Sequence, residues 1–195
     1  HMNCAGGSIE GMKWLSCEET NIGQVYECDP YGNNPSKVLP ALGRFKHEAV
    51  AEDFLKKHLY LTEDTPDGGF YRFIPDSLTK EGNIDSSSGK LQIAVLNGDN
   101  QEGKIEWENI KEPNPPIWQI LLKINELRYQ VKNSAKFNGG EGIAYYQGKI
   151  YFATKGDNKI WCYETKTQNI IVLYDHSTHP NPILSGVDNI VFSSS

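Results

Sequence analysis

Gly43 to Asp64 reads GRFKHEAVAEDFLKKHLYLTED. A His-Glu pair, His47-Glu48, stands just ahead of the short run Ala49 to Asp53. A second run, His58-Leu-Tyr-Leu-Thr62, passes directly into Glu63-Asp64. Carboxylates punctuate other apolar runs in the same way, at Cys17-Glu18-Glu19, Gly140-Glu141-Gly142 and Asp188-Asn189. Strands that repeatedly begin or finish on acidic groups are expected to bring those ends to one place.

Working outward, the chain is a succession of short alternating runs separated by Gly, Asp, Asn and Pro turns. Met12 to Glu19, Gly23 to Asp29, Phe70 to Ile74 and Lys90 to Asn97 are expected strands in the first half. Gly142 to Tyr146, Lys149 to Thr154, Lys159 to Glu164 and Asn169 to Tyr174 follow in the second, and Val187 begins another. Asn3-Cys-Ala-Gly-Gly7 is a small-residue loop. Trp14–Cys28, Ala49–Ile74, Ile143–Val172 and the start at Val187 repeat one pattern, a strand passing a carboxylate, a hairpin and an aromatic strand. Repeats of roughly 40–50 residues built from short strands are what propeller blades look like. The fold class is therefore expected to be all-β, a β-propeller with about four blades in a single domain over residues 3–195. His1-Met2 reads as a remnant of a cloning tag. After Pro113-Asn-Pro-Pro116, apolar residues at Ile117, Ile120, Leu121, Ile124 and Leu127 keep helical spacing, so an amphipathic helical insertion is expected over 115–133, laid on the sheets as a brace.

The 195 residues and net charge of −6 fit a globular domain and argue against nucleic acid, which rewards clustered Lys and Arg. No apolar run is long enough for a membrane span. Cys4, Cys17, Cys28 and Cys162 lack CxxC spacing, which argues against a zinc ribbon, and their pairing is left open. There is no nucleophile elbow, no P-loop and no EF-hand loop.

The residues that can carry chemistry are Cys4, Glu18, Glu19, His47, Glu48, Glu63, Asp64, Glu141, Asp188 and Asn189. Hard cations such as Ca²⁺ take six to eight oxygens from carboxylates and carbonyls. Crowded carboxylates repel unless a cation neutralises them. Adjacent residues of a strand face opposite sides, so one member of each acidic pair can reach inward. Cys4 matters only beside a thiophilic or redox-active metal.

At this point the motifs resemble a known family. Asn3-Cys-Ala-Gly-Gly7, Trp14-Leu-Ser-Cys-Glu-Glu19, Gly43-Arg-Phe-Lys-His-Glu-Ala49, Tyr60-Leu-Thr-Glu-Asp64, Phe70-Tyr-Arg-Phe-Ile-Pro75, Gly140-Glu-Gly142, Tyr151-Phe-Ala-Thr-Lys155 and Gly186-Val-Asp-Asn-Ile190 are similar, in order, to motifs of the PhoX-type alkaline phosphatases and their shorter relatives. The resemblance implies a six-bladed propeller whose central channel holds calcium, with iron as well in the phosphatases, and this chain is expected to be a partial copy of it, about four blades truncated at both ends. Cys4, Glu18 or Glu19, Glu48 and Glu141 are then the implied metal ligands, with Glu63 or Asp64 as further ones. Arg44, His47, Lys155, Asp188 and Asn189 are expected around them. The implied function is a metal-dependent, phosphatase-like hydrolase of phosphate monoesters on small molecules, using calcium with or without iron, periplasmic or secreted, with open sheet edges suited to self-association. One departure matters: where the phosphatases carry an arginine two residues before the EGE-type glutamate, this chain has Gly139. Loss of that anion contact sets up the alternative, a calcium-binding propeller without phosphatase activity that serves as a binding module or another class of hydrolase.

Overall fold

A computed structural model describes residues 2–97 and 102–193. His1, assigned to the tag remnant, and the last residues of the expected domain lie outside the described residues.

Three antiparallel four-stranded meanders follow one another along the chain. The first is β1 (Asn3–Ile9), β2 (Lys13–Glu18), β3 (Val25–Cys28) and β4 (Lys37–Val38). The second is β5 (His47–Asp53), β6 (His58–Glu63), β7 (Phe70–Pro75) and β8 (Gly89–Leu96), extended by β9 (Gly103–Asn109). The third is β10 (Gly140–Tyr146), β11 (Lys149–Thr154), β12 (Lys159–Glu164) and β13 (Asn169–Asp175). The pairing of β9 with β13 at Lys104–Asn169 and Gly103–Ile170 joins the outer edges of the second and third meanders into one nine-stranded sheet. The Trp107 indole N–H reinforces the joint by donating to the Tyr163 hydroxyl at 3.0 Å.

The middle meander is buried on both faces because each face meets a neighbour. Val50, Leu59, Leu61, Tyr71 and Phe73 pack against Ile9, Leu15, Cys17 and Val25 of the first meander. The alternate residues Ala49, Ala51, Tyr60 and Phe70 pack against Ile143, Ile150, Phe152, Trp161 and Tyr163 of the third. Period-2 alternation thus produces two apolar cores, one on each side of a single sheet. This is the stacking of propeller blades, and the expected fold class is the one observed. Among the described residues, no helix is long and apolar enough to cross a membrane.

The leading strands β1, β5 and β10 stand side by side at the centre without pairing as ladders. Small residues make that approach possible. A Cβ on Gly7 would lie 1.9 Å from the Val50 carbonyl oxygen, so β1 touches β5 backbone to backbone. This explains why Asn3–Gly7, expected as a loop, is a strand: its glycines serve close packing rather than turning. Between β5 and β10 the buried Thr62 hydroxyl accepts the Ala49 N–H at 3.2 Å and donates to the Glu141 carbonyl at 2.6 Å.

Two other expectations are corrected. The helix expected over 115–133 is reduced to α1 (Ile117–Leu121) and a 3₁₀ turn at Leu127–Tyr129. Lys123, at φ +55°, reverses the chain just after α1, and only Ile120 and Leu127 of the apolar stripe reach the core. The strand expected at Val187, taken as the start of a fourth blade, forms no ladder, so the described residues hold three blades. Its segment is held to β10 by one backbone bond, Gly142 N–H to the Asp188 carbonyl at 3.0 Å, and by Phe192 stacked on Tyr146. Conversely, β4 and β9 are strands the sequence reading does not include: β4 is only two residues long, whereas β9 does alternate, with Ile105 and Trp107 set against Glu106 and Glu108.

Thr62→Val keeps the side-chain volume but strands a buried N–H and a buried carbonyl. It should cost about 1–3 kcal/mol in urea unfolding, whereas Thr62→Ser should recover most of that loss.

Candidate metal centre

The three inner strands carry the same irregularity at the same place. Between Asn3 and Gly6 the register of β1 on β2 shifts by one residue, between His47 and Val50 that of β5 on β6, and between Gly140 and Ile143 that of β10 on β11. Each shift sets three steps of the inner strand against two of its partner, a β-bulge, and bulges re-aim side chains. The residues inside them include Cys4, Glu48 and Glu141, and all three point to one end of the channel. Their partner strands end beside them, at Glu19 after β2, Asp64 after β6 and Lys155 after β11.

The resulting cluster has Glu48 at its centre. The Cys4 thiol donates to Glu48 Oε1 at 3.0 Å. Ligand atoms of Cys4, Glu19 and Glu48 all lie within 4.8 Å of one another, as do those of Glu48, Glu141 and Asp188. Glu48 is buried, and its Oε2 has no hydrogen-bond partner. Two lysines thread between the acids. Lys46 Nζ lies 3.0 Å from Glu19 and 2.7 Å from Asp64, and Lys155 Nζ lies 2.9 Å from Asp64 and 2.5 Å from Glu141.

The electrostatics follow from this crowding. Burial raises Glu48, and the charges of Glu19 and Asp64 add to the effect against the Cys4 hydrogen bond. Burial likewise pushes Glu141 up to about 7, with Glu48 and Asp64 contributing and Lys155 opposing. Asp64 moves the other way, since its bonds to Lys46 and Lys155 outweigh its burial. Cys4 is pushed up to about 12 by partial burial and by the neighbouring Glu48 and Glu19 carboxylates. A thiol and a buried carboxylate that both resist ionisation beside more carboxylates form a site that attracts cations.

Of the residues expected from the sequence, Cys4, Glu19, Glu48, Asp64, Glu141, Lys155 and Asp188 come together. Alternation selects one of each acidic pair: Glu19 rather than Glu18, and Asp64 rather than Glu63. Glu18 turns back to accept the Gln24 N–H at 3.2 Å. Glu63 points into the protein, where it accepts from the Gly69 N–H, the Tyr71 hydroxyl and the Arg128 guanidinium at 2.8, 2.7 and 2.9 Å. His47, on the face opposite Glu48, is fully buried against Phe45 with its Nε2 3.1 Å from the Gly43 carbonyl; burial pushes it down to about 3, so it stays neutral. Arg44 reaches away to Asn114 and the Ile22 carbonyl. Asn189 lines the channel beside Gly142. Lys46 was missed; its one legible signal is its place two residues before Glu48.

Because its folded value lies far above that of a free thiol, Cys4 should remain protonated at pH 8 although it is exposed. Iodoacetamide should modify it at least about tenfold more slowly than an unfolded cysteine peptide, since the thiolate is the nucleophile. Glu48→Gln should speed the reaction, as read by peptide mass spectrometry.

A family profile described as alkaline phosphatase PhoX matches residues 20–182. Among solved structures, Pseudomonas fluorescens PhoX in complex with vanadate, a transition-state analogue, superposes with a TM-score of 0.66 at 16% identity, over 86% of this chain and 46% of that one. The chain thus spans less than half the length of this structural relative. No curated protein shows significant similarity.

Proposed function

The chain belongs to the alkaline phosphatase PhoX family, and we propose on that footing that it is a metal-dependent, phosphatase-like hydrolase of phosphate monoesters. One observation carries the reading: three equivalent bulges aim Cys4, Glu48 and Glu141 at one spot, flanked by Glu19, Asp64 and Asp188.

The donor set fits metal. Carboxylates from Glu19, Glu48, Asp64, Glu141 and Asp188 suit a hard cation such as calcium. The Cys4 thiol adds a soft ligand of the kind iron accepts. Glu48, buried with one oxygen already engaged by Cys4 and the other free of partners, is placed to serve both sides of the cluster. Bound metal would supply Lewis-acid polarisation of a phosphoryl oxygen and an activated water.

The protein's own groups do the remaining work. Cys4 must lose its proton to act as a ligand, and Glu48 Oε1, which already accepts that hydrogen bond, is the nearest base. Lys46 fixes Glu19 and Asp64 relative to each other. A cavity between the inner strands is lined by small residues such as Ala5, Gly7, Ala49 and Gly142 together with Trp14, Phe54, Tyr145 and Glu52. Periplasmic or secreted residence follows from family resemblance and belongs to the same proposal.

Gly139 favours a second reading, a calcium-binding propeller without turnover, because glycine offers no anion contact. Hydrolysis of p-nitrophenyl phosphate at alkaline pH decides between them. With calcium and iron supplied, the first reading expects release of p-nitrophenol that a chelator abolishes and Glu48→Gln reduces at least about 100-fold. Calcium-dependent thermal stabilisation without turnover would establish the second.

A further inference from the structure

The cluster is rich in carboxylates, and a phosphate dianion approaching it needs a cation that the protein can present to solvent. Two lysines are near. Lys46 is held between Glu19 and Asp64 with its side chain 29% exposed. Lys155 is held between Asp64 and Glu141 with its side chain 48% exposed. An ammonium has three N–H donors, so a lysine held by two carboxylates retains one.

Lys155 is the more exposed of the two, and position 139 lies against its stem. Gly139 has φ +72°, and a Cβ built there would lie 3.1 Å from Lys155 Cγ and 3.4 Å from Asp64 Oδ1. A side chain at 139 would therefore press on the stem of Lys155, which would have to shift slightly to admit it. The two backbones are tied together: the Lys155 N–H donates to the Gly139 carbonyl at 2.9 Å, and the Gly156 N–H to the Asn138 carbonyl at 3.0 Å. Gly156 in turn packs against the Asn138 side chain. With glycine at 139 the stem is left undisturbed, and its ammonium reaches both acids.

Resting on the metal-dependent reading above, we propose that Lys155 is the anion-binding residue of this site. It neutralises Asp64 and Glu141 when no cation is bound there, and turns to the phosphoryl group once metal cations take over that neutralisation. Its ammonium acts as a point charge rather than a planar fork, and so holds the phosphate without dictating one orientation. The ligand class is a phosphate monoester or inorganic phosphate.

The test uses the full chain loaded with calcium, with inorganic phosphate as the probe in isothermal titration. Lys155→Met and Lys155→Gln should each weaken phosphate binding at least about tenfold, and Lys155→Arg should restore most of it. Calcium should bind the Met variant as tightly as wild type or more tightly, because an internal competitor for Asp64 and Glu141 is gone. Thermal unfolding confirms that each variant is folded. Unchanged phosphate affinity in both folded variants, or no phosphate binding by calcium-loaded wild type, overturns the proposal. The hydrolase reading is decided separately: turnover with unchanged phosphate affinity in Lys155→Met sinks only the role of Lys155. Phosphate binding that depends on Lys155 without turnover sinks only the hydrolase.

Discussion

Close approach of three inner strands is the constraint on which this structure depends. β1, β5 and β10 do not pair with one another as ladders, although β5 and β10 are the two end strands of the nine-stranded sheet, so their close approach at the centre rests on packing and a few lateral contacts. Gly7 against the Val50 carbonyl and the Thr62 hydroxyl between Ala49 and Glu141 are the contacts that define it. Buried polar groups of this kind are costly to leave unpaired, which makes the spacing specific rather than merely compact. The two apolar cores on either face of the middle meander then hold the strands in that arrangement.

On this frame the bulges convert sheet geometry into a site. A regular strand sends neighbouring side chains to opposite faces and so down into the inter-blade cores. One extra residue at the head of each inner strand turns Cys4, Glu48 and Glu141 toward the channel end instead. The crowding this creates is electrostatically unfavourable. It is relieved within the chain by Lys46 and Lys155, each shared between two carboxylates. Glu48 receives no such partner for its second oxygen, and it is also the residue common to both groups of ligands. Charge relief is thus least complete at the geometric centre, where a cation would act most strongly.

Acidic pairs illustrate how far a linear reading reaches. Period-2 alternation implies that one of Glu18 and Glu19, and one of Glu63 and Asp64, faces the channel, but not which. The choice depends on register. Glu63 stands opposite His47 in the ladder and shares its fate, pointing into the first core toward Tyr71 and Arg128. Asp64, one residue beyond the ladder, turns to the lysines. The helix reading erred for a related reason: spacing of apolar residues records which of them could share a face, while Lys123 at positive φ ends the helix before that face is complete.

By itself the sequence determined the all-β class, most strand positions, the family and the residue types gathered at strand ends, because alternation, turn residues and motif order are local and survive without coordinates. Only the tertiary structure decided which acid of each pair reaches the channel, that Lys46 and Lys155 lie between those acids, and that Gly139 lies against the stem of Lys155. Those outcomes depend on bulges and on pairs far apart in the chain, such as Lys155 with Asp64. A bulge is defined only against a partner strand, and a salt bridge only by where the fold brings its two ends.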